Sequence, residues 1–154
     1  MIKIINVSRG DYLITSDRTK VDLQVVHHYL CYESYWTQGV PFERVQMAAE
    51  HSLNFSLFYR DEQVGYARVI TDYCQIAYLG DVFILETHRG QGLGKWLIET
   101  VHQHPNLQDL RNWLLGTLDA HGLYRQFGWI SPPEPQRWMI RPNRDVYKTN
   151  RDSL

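Results

Sequence analysis

Tyr78-Leu79-Gly80-Asp81-Val82-Phe83-Ile84-Leu85-Glu86-Thr87-His88-Arg89-Gly90-Gln91-Gly92-Leu93-Gly94-Lys95 is the stretch on which the fold turns. The apolar run over residues 75–85 predicts a central strand. A polar turn follows, and Leu93, Leu97, Ile98 and Val101 then recur at the spacing of a helix with one buried face. Glycines at 90, 92 and 94 permit positive φ and let backbone approach a ligand closely. The first amides of a helix lack intrahelical acceptors and sit at the positive end of its dipole, which makes an anion site. Arg89 and Lys95 add charge there, and a guanidinium fork suits phosphate. The alternative is an unliganded strand-to-helix turn. A Walker loop is excluded, because no Gly-Lys-Ser/Thr follows. The glycines alternate, so the G-x-G-x-x-G dinucleotide fingerprint fails as well.

Working outward, residues 54–59 and 63–70 read as a strand hairpin around Arg60-Asp61-Glu62, and residues 12–16 as a first strand. Asp22 is positioned to cap a helix through Leu23, Val26 and Leu30, and Pro41 to open a second. Pro105 stops the helix begun at Leu93. A short strand is expected at 113–117, then a helix over 120–127 capped by Asp119 and closed by Gly128. Late strands are expected at 129–130 and 136–140, separated by Pro132-Pro133-Glu134-Pro135, with a loose tail over residues 142–154. The order implies one α/β (α+β) domain over residues 1–154, with a core of about 5–141 and a mostly antiparallel sheet flanked by helices.

Composition narrows the function. A net charge of −1 argues against a broad electrostatic hold on nucleic acid. No stretch approaches the roughly 18 apolar residues of a membrane span. Two cysteines without metal-like spacing and no secretory leader predict a reduced, cytoplasmic setting. His27-His28 and His102-x-His104 lack a carboxylate or cysteine at ligand spacing, so no metal is expected. Tyr29, Tyr32, Tyr35 and Trp36 form a dense aromatic cluster, read either as a pocket wall or as packing between helices.

Arg89-Gly90-Gln91-Gly92-Leu93-Gly94 resembles the Arg/Gln-x-x-Gly-x-Gly/Ala signature of the GNAT acetyltransferases. Ala120-His121-Gly122-Leu123-Tyr124-Arg125-Gln126-Phe127-Gly128-Trp129 resembles the family's Ala-x-x-Leu-Tyr-x-x-x-Gly-Phe pattern, with Trp in the last place. The resemblance spans roughly residues 5–140. It implies acetyl-CoA as co-substrate, with its pyrophosphate on residues 89–95 and its pantetheine arm along Val82, Phe83 and Ile84. It also implies an amine acceptor, small or peptidic, direct transfer, and a possible homodimer. Tyr124 is then the general acid for the departing thiolate, the alternative being a core tyrosine.

An alkylamine, with a reference pKa of about 10.4, must lose a proton before attack. Asp81, a carboxylate inside an apolar strand, is the first candidate base. The alternative is a structural ion pair with Arg68 or Arg111. Glu33, Glu86 and His121 stand in reserve, and a water chain is a further route. The acceptor pocket is expected from Tyr32, Glu33, Tyr35 and Trp36, with Trp138 opposite. Two other readings stay open: an acyl-CoA sensor without turnover, and an unrelated nucleotide-binding domain.

Overall fold

The computed structural model describes residues 1–154. Six strands lie in sequence order across one sheet: β1 (Asn6–Arg9), β2 (Tyr12–Thr15), β3 (Leu53–Tyr59), β4 (Glu62–Thr71), β5 (Ile76–Ile84) and β6 (Asn112–Leu114). The first five pair antiparallel, and β5 and β6 pair parallel. The helices are α1 (Leu23–His28), α2 (Phe42–Glu50), α3 (Leu93–His102), α4 (His121–Arg125) and α5 (Lys148–Arg151). Asp22 caps α1, accepting from the amides of Gln24 and Val25. A π-helical turn, Tyr29–Glu33, continues α1 and buries Tyr29, Leu30 and Cys31.

Two apolar clusters hold the layers together. Phe55, Leu57, Val69 and Leu79 pack with Trp96, Leu97 and Val101 of α3. Val26 of α1, Leu30 of the π-helical turn and Val45 of α2 pack with Tyr66 and Phe83. One irregularity explains how β5 serves both. Tyr66 pairs with Phe83 but Arg68 with Gly80, so two residues of β5, Asp81 and Val82, oppose Ala67 alone. This is a β-bulge, and Asp81 adopts a φ of +52° within it. The extra residue inverts the two-residue alternation: Ala77 and Leu79 face the α3 cluster, and so does Val82, while Phe83 joins the other.

Several expectations change. β1 was not anticipated, because Asn-Val-Ser-Arg is exposed on both faces and has no apolar alternation. The strand expected at 113–117 stops at Leu114. Asp119 does not cap α4; the Ala120 amide donates to Thr117 Oγ1 at 3.1 Å, and the helix covers only His121–Arg125. Neither late strand forms. The three prolines of 132–135 offer no N–H to a ladder, and Trp129 packs on Trp113 while its indole N–H donates to His102 Nε2 at 3.1 Å. The segment expected as a tail carries α5, whose Asn150 side chain donates to the Gly39 carbonyl at 3.1 Å.

Candidate active site

β5 and β6 pair only from Ile76↔Asn112 to Tyr78↔Leu114. Past that point they part, so the edge of β5 turned toward β6 has no strand partner from Leu79 to Ile84. The opening between them forms a cleft with two chambers. The first is lined by Val82–Ile84, the glycine turn, Glu33, Asp119 and Leu123, and measures about 480 Å³. The second is lined by Arg68, Tyr78–Asp81 and Gly116–Leu118, and measures about 500 Å³. Tyr35, Trp36, Val82, Ala120 and Tyr124 border both.

The glycine turn and the adjoining strand end form one side of the first chamber, with residues of 29–36 and 119–124 around the rest. Gly90 and Gly92 hold φ of +77° and +76°, and a Cβ on either would meet nothing within 4 Å. The turn therefore uses glycine for its conformation and leaves open space above it. Gly92 begins α3 without a side-chain cap. The first i→i−4 bond is Trp96 N–H to the Gly92 carbonyl at 3.1 Å, so the amides of Leu93, Gly94 and Lys95 precede the ladder. Leu93 itself is buried, while Lys95 is exposed one turn into the helix. Arg89 spends its Nε on the Ile84 carbonyl at 2.8 Å and its Nη2 on Tyr29 Oη at 3.2 Å, which locks the turn to the strand end. On the outer side Tyr12 Oη and His88 Nδ1 lie 2.9 Å apart, and Tyr12 also donates to Gln91 Oε1 at 3.5 Å. An uncapped helix start, an open glycine turn and an unpaired strand edge suit a diphosphate carried on an extended amide chain. The residues present thus fit a pantetheine coenzyme.

The second chamber is built of side chains. Asp81 Oδ2 accepts from Arg68 Nε at 2.7 Å, and Asp81 Oδ1 from Trp36 Nε1 at 3.1 Å. Both members of the ion pair are largely buried, at 16% and 10% side-chain exposure. The Arg68 pair is thus present, and Trp36 adds a second partner that the sequence did not suggest. Tyr35 Oη accepts from the Leu118 amide at 2.9 Å. Residues 35 and 36 therefore cross the mouth of the cleft, one bonded to each wall.

Tyr124 stands where the chambers meet and is 8% exposed. Burial is the main reason its phenol is pushed up to about 12, with Tyr35 and Asp119 adding to the shift. The hydroxyl stays protonated at neutral pH and is available as a donor. Tyr32 lies elsewhere: it lines a separate surface cavity with His27 and His28. Trp138 lies outside the cleft and is 51% exposed, because the strand that would have carried it is absent. Phe83 turns its ring into the core, stacked on Tyr29 with ring centres 4.0 Å apart, so only its backbone faces the cleft. Among lining residues, Tyr78, Gly80, Gly116 and Leu118 were not anticipated. The signal available for Tyr78 was an outward aromatic two residues before a glycine on the central strand.

Residues 23–129 match the acetyltransferase (GNAT) family, and the chain belongs to it. A GNAT-family protein of known structure from Xanthomonas campestris pv. campestris is 43% identical. The match covers 88% of this chain and 96% of that one, with a TM-score of 0.86. The protein FG08082 of Gibberella zeae, whose acetyltransferase name is itself an inference, is 29% identical over 77% of this chain and 78% of its own. The uncharacterized N-acetyltransferase ycf52 of Gracilaria tenuistipitata var. liui is 24% identical over 90% of this chain and 86% of its own.

Proposed function

We propose that this acetyltransferase moves an acetyl group from acetyl-CoA to a primary amine by direct attack, with both substrates held in the cleft at once. The observation that carries the reading is the position of Tyr124, a protonated phenol on the border between a chamber at the glycine turn and one holding the Arg68–Asp81 pair. Acetyl-CoA, when bound, supplies an acetyl carbon already activated by a thioester.

The chain's own residues do the rest. The amides of Leu93–Lys95 and the glycine turn at 90–92 hold the diphosphate. The free edge of β5 at Val82–Ile84 aligns the amide arm by main-chain bonds. Asp81 is the one carboxylate lining the acceptor chamber, and the ammonium's surplus proton is assigned to it, directly or through water. The nitrogen so freed forms the bond to the acetyl carbon as the carbon–sulfur bond breaks. Tyr124 Oη gives the departing sulfur its proton, and the second proton that the nitrogen sheds as the amide forms returns to the phenolate, directly or through water. Proximity does most of the work, since holding both reactants replaces a bimolecular encounter.

Thiol release from acetyl-CoA, followed against a panel of amines beside calorimetry with coenzyme A, tests this. Amine-dependent release is the expected result. Coenzyme binding with no release on any amine would leave an acyl-CoA binder in its place, and no coenzyme binding would remove the donor altogether.

A further inference from the structure

The acceptor chamber has a composition that narrows its ligand. Its only charged lining residues are Arg68 and Asp81, and they neutralise each other. Arg68 gives Nε to Asp81 and Nη1 to Ser52 Oγ at 3.0 Å, so the charge of the chamber's one cation is already paired. An acceptor carrying a carboxylate or phosphate would have to disrupt that arrangement or go without a counter-charge.

Four aromatic residues, Tyr35, Trp36, Tyr78 and Tyr124, stand among the remaining lining residues. Tyr35, Trp36 and Tyr78 are 56%, 38% and 44% exposed, which leaves three large rings in contact with solvent at one cleft. Two glycines give Tyr78 its place. A Cβ on Gly80 would lie 3.2 Å from the Tyr78 ring, and a Cβ on Gly116 would lie 3.8 Å from its hydroxyl. The ring therefore reaches from β5 to the segment following β6, across the base of the opening. Trp36 covers the same chamber while its N–H is held by Asp81. Rings of this kind take flat apolar bodies by stacking and attract ammonium groups to their faces. The remaining lone pairs of Asp81 can accept from the ammonium itself.

We propose that the acceptor is an arylalkyl primary amine bearing no anionic group, its ring against Tyr78 and Trp36 and its nitrogen at the Asp81–Tyr124 end. This rests on the acetyl-transfer reading for its chemistry, but the binding preference is measurable without turnover.

The test is calorimetry on the full chain saturated with coenzyme A, titrated with phenethylamine, phenylalanine and ethanolamine. Phenethylamine should bind at least about tenfold more tightly than either of the others. Tyr78→Ala, a change at a half-exposed ring, should weaken phenethylamine by about tenfold and leave coenzyme affinity unchanged. Phenylalanine binding as well as phenethylamine, no heat from phenethylamine, or an unaffected Tyr78→Ala would each overturn the assignment. Thiol release measured in parallel separates the two ideas. Transfer to amino acids with rejection of arylalkylamines sinks the acceptor class and keeps the transferase. The expected binding order with no release from any amine does the reverse.

Discussion

The two chambers of the cleft are made of different material. The first chamber takes a strand edge, two glycines in left-handed conformations and the start of α3 from residues 82–95, and is completed by residues of 29–36 and 119–124. The second chamber gathers side chains from five segments, including Trp36, Arg68, Tyr78, Leu118 and Tyr124. A backbone site has little freedom to vary, since its chemistry is amides and carbonyls. A side-chain site can be rebuilt residue by residue on the same frame. On the proposed reading, the common donor lies in the first chamber and individual specificity in the second.

The largest effect should appear where the chambers meet. Tyr124→Phe is expected to lower kcat about a thousandfold while leaving the KM for acetyl-CoA within about twofold; steady-state kinetics decide it. A variant with unchanged kcat makes Tyr124 a packing residue and removes the junction from the mechanism. The same substitution sharpens the pH picture. Because burial raises this phenol to about 12 in the folded chain, its contribution to stability is full below pH ~10, the unfolded value, and is lost as pH rises toward ~12. Tyr29 and Tyr66 are raised by burial too and contribute in the same direction. Alkaline unfolding of Tyr124→Phe should therefore be shallower than that of the parent, not abolished.

Next comes the first chamber by itself. Gly92→Glu puts a side chain at a φ of +76°, which costs roughly 1–2 kcal/mol, and adds a carboxylate at the anion site. Coenzyme A affinity should fall by about a hundredfold or more, with the fold kept by circular dichroism. Unchanged calorimetric affinity would show that the glycine turn does not hold the diphosphate.

On the side-chain half, Asp81→Asn removes the charge opposite Arg68 and should cost about 2 kcal/mol in denaturant unfolding. If Asp81 takes the proton, the acid limb of the rate profile should flatten as well. Stability lost with an unaltered profile would leave Asp81 as the anchor of Arg68 and Trp36 only. The smallest effect is expected for Trp36→Phe. It deletes one hydrogen bond to Asp81 and keeps most of the aromatic surface, so the acceptor KM should rise about threefold, equivalent to roughly 0.7 kcal/mol. A comparable change in acetyl-CoA KM would mean that the two halves are not separable.

What could be read directly from residue order follows this division. The glycine turn and its helix were legible because each depends on contacts within a few positions along the chain. Tyr124 was legible through its motif on a local helix, and Arg68 was named as a partner for Asp81. Tyr32 and Trp138 were misplaced because aromatic residue type says nothing of direction: Tyr32 turns toward His27 and His28, and Trp138 lies on a segment that forms no strand. β1 went unseen because an exposed strand has no apolar rhythm. The late strands were over-read because local β propensity does not guarantee a partner edge.

Local sequence was therefore enough to set the strand–turn–helix unit and the open geometry of its glycine bend, since positive φ and unpaired first-turn amides are short-range properties of the chain. The second chamber came into being only on folding. Its defining contacts join residues 45 positions apart, Trp36 to Asp81, and 83 apart, Tyr35 to Leu118. The register slip at Asp81 that directs this carboxylate toward Arg68 is likewise a consequence of pairing between neighbouring strands, which no single strand encodes.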